Sequence, residues 1–346
     1  MSDTHNRRIV LARRPDGEPR ADDFRLERAP LPEPGDGELV ARTLYLSLDP
    51  YMRGRMNDAP SYAPAVEIGE TMTGGTVGEV IASKLEGFAE GDLVVGYGGW
   101  QDYAVHRADA VRKLDPALAP PSTALGVLGM PGMTAWTGLH EIGRPRTGET
   151  LVLAAASGAV GAIVAQIAKL RGCRVVGIAG SDEKCRYLET ELGIDVALSH
   201  REPDLPGRLA AACPDGVDVY WENVGGPVFD AALPLLNPFA RVPVCGLIHW
   251  YNAAAVPSVP DPTPRLMRQV LVKRLTLRGF IVFDHAQLHD AFEREVGAWV
   301  RAGKLRYRED VRDGLERAPE ALAGLLRGEN FGKLLIRVSD DPTLAA

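Results

Sequence analysis

The sequence predicts an α/β fold in which a doubly wound parallel sheet is joined to a separate, mostly antiparallel β domain. Three observations predict it. To about residue 125 the chain is a series of short β-like runs broken by Gly and Pro. From about Thr150 strand patterns alternate with helical ones, which implies a parallel sheet with helices on both faces. At 346 residues the chain exceeds the comfortable size of one hydrophobic core, so two domains are the natural division.

The β runs of the first part are Glu38 to Tyr45, Gly75 to Ile81, Asp92 to Tyr97 and Asp102 to Val105. Turn residues such as Pro32-Glu33-Pro34-Gly35 and Gly91-Asp92 separate them. Ser122 to Leu139 reads as helical, with Pro131-Gly132 interrupting it near the domain junction. Strand Leu151–Ala154 then leads into a helix on which Val160, Ile163, Val164, Ile167 and Leu170 recur at helix-face spacing. Next come strand Arg174–Ala179, a helix through Lys184 to Leu192, and strand Val217–Trp221. The turn Asn223-Val224-Gly225-Gly226 precedes a helix opened by Pro227, and strands Arg241–Leu247 and Leu275–Phe283 follow. Leu288, Phe292, Val296 and Trp299 mark one face of an amphipathic helix. The tail holds a helix over Leu315–Leu326 and a strand over Lys333–Val338. Ala253 to Pro264, rich in Pro and Ala, is expected to be a long mobile loop.

The 45% hydrophobic and 25% charged contents are those of an ordinary globular protein. A formal charge of -7 and a pI near 5.6 argue against a nucleic-acid partner, which calls for a basic surface. The stretch Leu151–Leu170 reaches bilayer length, but its flanks are βα punctuation and no second such stretch exists, so no membrane association is expected. Arg7 and Arg8 precede an apolar run, Ile9 to Ala12, too short for a signal peptide. Cys173, Cys185, Cys213 and Cys245 are scattered without CxxC or Cys/His clustering. They read as reduced thiols of a cytoplasmic protein, and no metal site is expected.

The turn Ala156-Ser157-Gly158-Ala159-Val160-Gly161 is a dinucleotide fingerprint whose first glycine has become alanine. Gly158 would let the backbone approach a pyrophosphate, stabilised by the amides at the following helix N-terminus. Gly161 would let that helix lie close to its strand. By itself such a turn is also found at empty strand–turn–helix corners. The next strand ends Ala179-Gly180-Ser181, where an NAD site usually places an acid on the ribose hydroxyls. Ser181 and Lys184 could instead bind an added phosphate, which favours NADPH over NADH. Asp182 falls near the same window and reverses the preference if the strand runs two or three residues further. Lys184 also fits a solvated helix-face lysine.

Together these elements resemble the medium-chain dehydrogenase/reductase superfamily, and within it the zinc-independent, NADPH-dependent double-bond reductases. That group includes the prostaglandin and leukotriene reductases, plant alkenal reductases and bacterial curcumin reductase. The resemblance covers nearly the whole chain. It rests on six ordered blocks: LSLDPYMRGRM (Leu46–Met56), GMPGMTAW (Gly129–Trp136), Ala154–Lys184, ENVGG (Glu222–Gly226), CGLIHWYN (Cys245–Asn252) and GENFGK (Gly328–Lys333). It implies a GroES-like β domain over residues 1–128, a Rossmann domain over 129–304, and a return to the first domain over 305–346. By the same resemblance Gly158, Ala159, Val160 and Gly161 would contact the pyrophosphate, and Lys184 the adenosine 2′-phosphate. Asn223 and the segment from Cys245 and Gly246 to Tyr251 would line the nicotinamide half. Phe280, Ile281 and Val282 would lie on a sheet-edge strand near it, and Asn330 would reach the cofactor from the tail. Where many relatives carry a tyrosine at the ribose phosphate, this chain has His200; an exposed loop histidine is the alternative reading there.

The superfamily's zinc-dependent members need a cysteine just after the strand ending Ser47-Leu48-Asp49-Pro50, and no cysteine precedes Cys173. The expected chemistry is therefore NADPH-dependent reduction of a carbon–carbon double bond conjugated to a carbonyl, in a small hydrophobic enone or enal. Tyr251 is the first choice for the donor at the developing enolate, and Tyr51 the second, with a packing role for Tyr51 equally open. His249 and Trp250 could shape the pocket. Arg53 and Arg55 could be salt-bridged in the first domain or reach toward the cofactor. His5, His106, His140, His285 and His289 are expected at the surface. A quinone reductase of the same architecture and a non-catalytic NADPH-binding protein are the competing readings, and a homodimer is what the resemblance implies.

Overall fold

The computed structural model describes residues 5–253 and 262–344. In the first part, glycine and proline turns keep the strands short: β1 (His5–Leu11), β2 (Phe24–Pro30), β3 (Glu38–Ser47), β4 (Thr76–Ser83), β5 (Leu93–Gly96), β6 (Tyr103–Arg107) and β7 (Val111–Leu114), with the one-turn helix α1 (Tyr51–Arg55) after β3. Alternation then sets in: α2 (Met130–Gly138), β8 (Thr150–Leu153), α3 (Gly161–Leu170), β9 (Arg174–Ala179), α4 (Asp182–Thr190), β10 (Val196–Ser199), α5 (Leu205–Ala212), β11 (Val217–Trp221), α6 (Gly226–Ala232), β12 (Leu236–Val244), α7 (Thr263–Lys273), β13 (Thr276–Gly279) and α8 (His289–Arg301). The tail adds β14 (Glu309–Asp313), α9 (Ala318–Leu326) and β15 (Lys333–Arg337). The chain divides into two compact units, Met1–Gly129 with Glu309–Ala346, and Met130–Arg308.

The first unit is a mostly antiparallel sheet in the order β14-β15-β3-β4-β5-β7, with β6 also on β3 and only β14–β15 parallel. A separate ribbon pairs β1 with β2. Ile9, Leu11, Leu46, Met52, Leu322 and Ile336 are buried in one core there, and Phe24 stacks on Trp100 at 5.4 Å.

The second unit is a six-stranded parallel sheet in the order β10-β9-β8-β11-β12-β13. The chain winds outward from β8 through β10, then crosses back to β11 and winds the other way. Right-handed crossovers therefore put α3 and α4 on one face and α5 and α6 on the other. Val152, Val176, Ile178, Val217 and Val242, all at most 1% exposed, fill the core of the sheet. No helix among the described residues is long and apolar enough to cross a membrane.

Several elements differ from the sequence expectation. Pro131-Gly132 open α2 rather than interrupt a helix, because a proline in the first turn loses no intrahelical hydrogen bond. Strand β12 begins at Leu236, earlier than expected, and stops at Val244. Phe239, at φ 66°, and a register shift between Val217 and Val219 absorb Pro238. Strand β13 stops at Gly279, so Phe280, Ile281 and Val282 follow the edge strand rather than lie on it. Helices α5 and α7 and strand β14 were not anticipated. The expected loop Ala253 to Pro264 lies mostly outside the described residues, and Thr263 already belongs to α7. His106 is buried rather than at the surface, its ring filling the space beside Gly96.

Candidate active site

Because the six strands of the second unit run parallel, their carboxyl ends share one edge of the sheet, and nearly every candidate residue follows a strand end there. Read across the sheet, His200 follows β10, Ser181 follows β9, and the turn from Ala154 to Val160 follows β8. Asn223 comes just after β11, Cys245 and Gly246 after β12, and Phe280 after β13. The strand order reverses between β8 and β11, the place where open α/β sheets leave a crevice.

At the centre, the two fingerprint glycines have different reasons. A Cβ on Gly161 would lie 2.3 Å from the Ala155 carbonyl oxygen and 2.9 Å from the Ala156 Cα, so α3 can approach its strand only through glycine. A Cβ on Gly158 would meet only the Ala155 oxygen, at 3.3 Å, and otherwise point into open space. Ala155 turns the chain at φ 51°. Ala156, where the fingerprint usually has glycine, is fully buried; Gly177 on β9 makes room for its methyl, since a Cβ there would come within 2.9 Å of it. Helix α3 begins with Val160 at its cap position and no side-chain capping hydrogen bond; its Ala162 and Ile163 amides turn back to the Gly158 and Val160 carbonyls at 3.0 and 3.1 Å.

On the β9–β10 side, β9 ends at Ala179 and Ser181 caps α4, its hydroxyl accepting from the Lys184 amide at 3.3 Å. Asp182 is the first residue of α4 and is exposed, not at the strand end. The side chains of His200 and Arg201 converge beside Gly180: a Cβ there would lie 3.3 Å from His200 Nε2 and 3.9 Å from Arg201 Nε and Nη2. His200 is exposed, as the alternative reading has it; partial desolvation, then Arg201 and Lys184 nearby, lower its pKa from the ordinary imidazole value. Three basic side chains thus gather where β9 and β10 end. Arg201 was missed in the sequence, where its only signal is its place next to His200.

On the other side, Asn223 ties three strands together. Its Nδ2 donates to the Ala154 carbonyl at 3.0 Å, its Oδ1 accepts from Trp221 Nε1 at 3.0 Å, and its carbonyl accepts from the Ile248 amide at 3.2 Å. Gly225 and Gly226 have φ of 75° and 56°, and Trp250 and His249 pack directly onto them. His249 and Trp250 meet edge to face at 4.5 Å. Their place is against this turn. Tyr251 ends the single turn Ile248–Trp250, and its phenol oxygen accepts from the Leu247 amide at 3.4 Å, above Gly246. Burial first, then the Glu222 carboxyl, push the Cys245 thiol up to about 12, so it carries no thiolate at neutral pH. All four cysteines are free. The Phe280 ring packs edge-on against Trp221 at 6.0 Å, and Val282 is buried.

Tyr51 and Asn330 belong to the first unit. Tyr51 opens α1 with a buried hydroxyl that has no hydrogen-bond partner among the described residues; burial, then Asp49, raise its pKa. Asn330 is buried and donates to the Gly332 carbonyl at 2.8 Å. Arg53 is buried as well. It donates to the Gly17 carbonyl at 2.8 Å and to Asn57, bracing the N-terminal segment with no salt bridge among the described residues. After β3, where the zinc-dependent relatives place a cysteine, Lys333 donates to Asp49 at 2.8 Å and to the Leu48 carbonyl at 2.7 Å, and Ser47 also donates to Asp49. Among the described residues no three His, Cys, Asp or Glu side chains gather as a metal site would require.

Two family models match the chain: the N-terminal domain of oxidoreductase over residues 7–114, and zinc-binding dehydrogenase over residues 159–296. The NADPH-dependent curcumin reductase of Escherichia coli (strain K12) is 56% identical over 337 residues, covering 97% of this chain and 98% of its own. The NADP(+)-dependent 2-alkenal reductase of Nicotiana tabacum is 40% identical over 341 residues, covering 96% and 98%. Among solved structures, CurA from Vibrio vulnificus in complex with NADPH superposes with a TM-score of 0.93 at 50% identity, covering 97% of this chain and 100% of that one. With relatives this similar along almost its whole length, the chain is an oxidoreductase that belongs to the medium-chain dehydrogenase/reductase superfamily, in the group of the curcumin, alkenal and prostaglandin reductases.

Proposed function

We propose that this protein uses NADPH to reduce the carbon–carbon double bond of α,β-unsaturated ketones and aldehydes. The observation that carries the reading is the ordered row of strand ends: basic side chains after β9 and β10, an uncapped helix N-terminus after β8, and a phenol after β12. The residues present suit the cofactor. The open side of Gly158 and the amides of the turn into α3 would take the pyrophosphate, with Ala159, Val160 and Gly161 around it. Lys184, His200 and Arg201, with Ser181 beneath them, would hold the adenosine 2′-phosphate, and no acid stands at the end of β9 to repel it. Asn223, the segment Cys245 to Tyr251, and the backbone of Phe280, Ile281 and Val282 would border the nicotinamide half, because they follow the strands of the second half of the sheet.

Bound there, NADPH would supply hydride to the substrate's β-carbon. The chain's own part is to hold the charge that then collects on the carbonyl oxygen. Tyr251 would donate its phenol proton in a hydrogen bond to that oxygen, stabilising the enolate more than the ground-state carbonyl. The Leu247 amide, bonded to the phenol oxygen, keeps the ring over its turn. Protonation at the α-carbon would come from Tyr251 or water. Tyr51 is the second phenol, and its buried unpartnered hydroxyl fits a donor to substrate. Curcumin and 2-alkenals, named in the relatives' activities, share the conjugated carbonyl this chemistry needs. Residues 129–304 would form the cofactor domain, within a cytoplasmic homodimer. Dimerisation through the edge strand β13, beside the exposed Met267, Leu271 and Val272 of α7, would give about twice the 37.3 kDa chain mass in sedimentation.

The test follows NADPH oxidation with a panel of enones, alkenals and quinones. Tyr251→Phe should lower turnover on enones by about 10²–10³ while NADPH affinity stays near wild type. Quinone turnover, which needs no such donor, should change little. Unchanged enone turnover removes Tyr251 from the chemistry. NADPH that binds but is never oxidised by any acceptor identifies a non-catalytic binding protein instead.

A further inference from the structure

Glu222 lies just past β11, with only 2% of its surface exposed, and no step proposed above uses it. A buried carboxylate costs several kcal/mol unless its hydrogen bonds are satisfied, so its retention at a strand end calls for a reason. Its contacts supply one. Oε1 accepts from two successive amides, Val224 at 2.6 Å and Gly225 at 2.7 Å, closing the turn that enters α6. Its backbone grips the next strand: its amide donates to the Pro243 carbonyl at 3.0 Å, and its carbonyl accepts from Cys245 at 2.9 Å and Gly246 at 3.1 Å. One residue thereby fixes both the Asn223–Gly226 turn and the start of the Cys245–Tyr251 segment. The turn passes the constraint on, since the Asn223 and Val224 carbonyls accept from the Ile248 and His249 amides at 3.2 and 3.0 Å. The second carboxyl oxygen, Oε2, is buried and faces the Tyr220 phenol, with the Cys245 thiol nearby.

We infer that Glu222 is the positioning residue of the nicotinamide half of the cofactor site, holding the Asn223 turn and the Tyr251 segment in register through its carboxyl–amide bonds. The inference rests on the NADPH reading above. It makes the two halves of the site separable. Among the described residues Glu222 bonds only around its own turn and the start of the Cys245–Tyr251 segment, away from the ends of β9 and β10, so a change at Glu222 should be felt by the whole dinucleotide and not by its adenosine fragment.

The experiment measures the Kd of NADPH and of 2′,5′-ADP by calorimetry for wild type, Glu222→Ala and Glu222→Gln, with Tm as the folding control. Alanine removes the acceptor and leaves the two amides unsatisfied; NADPH should bind at least tenfold more weakly while 2′,5′-ADP stays within twofold. Glutamine keeps Oε1 for the amides and can turn its NH2 toward the Tyr220 oxygen, so it should restore NADPH affinity to within about threefold of wild type. Should the alanine variant fail to fold, Glu222→Asp, one methylene short of both amides, should show the same split. Loss of both ligands in equal measure, or of neither, overturns the positioning role. A wild-type protein that binds neither ligand overturns the cofactor reading itself and is distinguished from these outcomes by its own titration.

Discussion

The same substitution placed three residues apart should produce opposite effects. In Gly161→Ala the new Cβ would sit 2.3 Å from the Ala155 carbonyl oxygen and 2.9 Å from the Ala156 Cα, against an ordinary contact of about 3.4–4 Å. Relief requires α3 to move about 1 Å away from β8. Both neighbours are backbone, and Ala156 is itself wedged against Gly177, so the strand has little freedom to yield. Overpacking of this kind costs about 1–3 kcal/mol. For a unit of this size that lowers Tm by about 2–4 °C per kcal/mol. In Gly158→Ala the only neighbour is the Ala155 oxygen at 3.3 Å, which a shift of a few tenths of an ångström accommodates. Its methyl then occupies the space over the amides of α3, where the pyrophosphate would approach. A tenfold loss of NADPH affinity corresponds to about 1.4 kcal/mol. Differential scanning fluorimetry with a fluorescence titration of NADPH separates the two. The expected result is a lowered Tm for Gly161→Ala, and for Gly158→Ala a Tm within about 1 °C of wild type with an NADPH Kd raised at least tenfold. Unchanged affinity in Gly158→Ala would refute the assignment of the crevice, and an unchanged Tm in Gly161→Ala would refute the packing argument.

Two further outcomes follow from charge. Lys184→Ala and Arg201→Ala should each weaken 2′,5′-ADP much more than 5′-AMP in a calorimetric titration, because only the former carries the phosphate these side chains would face; equal losses for the two nucleotides would exclude the phosphate role. Burial, opposed by the Gly225 and Val224 amides, raises the Glu222 carboxyl to about 7 from an ordinary value of 4.5. The folded state then holds the proton longer than the unfolded one, so this residue's contribution to stability is full below about pH 4.5 and is lost as pH rises to about 7. At about 1.4 kcal/mol per pH unit the loss is at most about 3.5 kcal/mol. Urea unfolding of Glu222→Gln from pH 4.5 to 8 should show a flatter profile than wild type, and superimposable slopes would place the titration elsewhere.

What the sequence made readable, and what it hid, follows from where each signal resides. Strands β9 and β11 were found at their observed bounds because each is a short run dominated by β-branched, aliphatic and aromatic residues and ended by a turn, at Gly180 or at Asn223. β12 was misplaced because Asn237-Pro238 look like loop punctuation; only the partner register reveals a strand that tolerates them. β13 was overextended because Phe280, Ile281 and Val282 continue the β-branched and aromatic pattern, although they are apolar for another reason: Phe280 packs on Trp221 and Val282 is buried. The fingerprint glycines were legible because backbone geometry dictates their identity. Glu222 and Arg201 were not. An acid or a base at the end of a strand reads as surface charge until three-dimensional neighbours show the first buried and the second beside His200 and Gly180. His106 failed in the same way, since nothing in its neighbours along the chain announces the glycine it packs against.

The most direct test is a crystal structure of the protein grown with excess NADPH. The account predicts pyrophosphate density over Gly158 and the first amides of α3, the 2′-phosphate within hydrogen-bond distance of Lys184, His200 or Arg201, and the nicotinamide on the Asn223–Tyr251 side. Nucleotide bound in the reverse sense, or a crevice without nucleotide at saturating concentration, would contradict it.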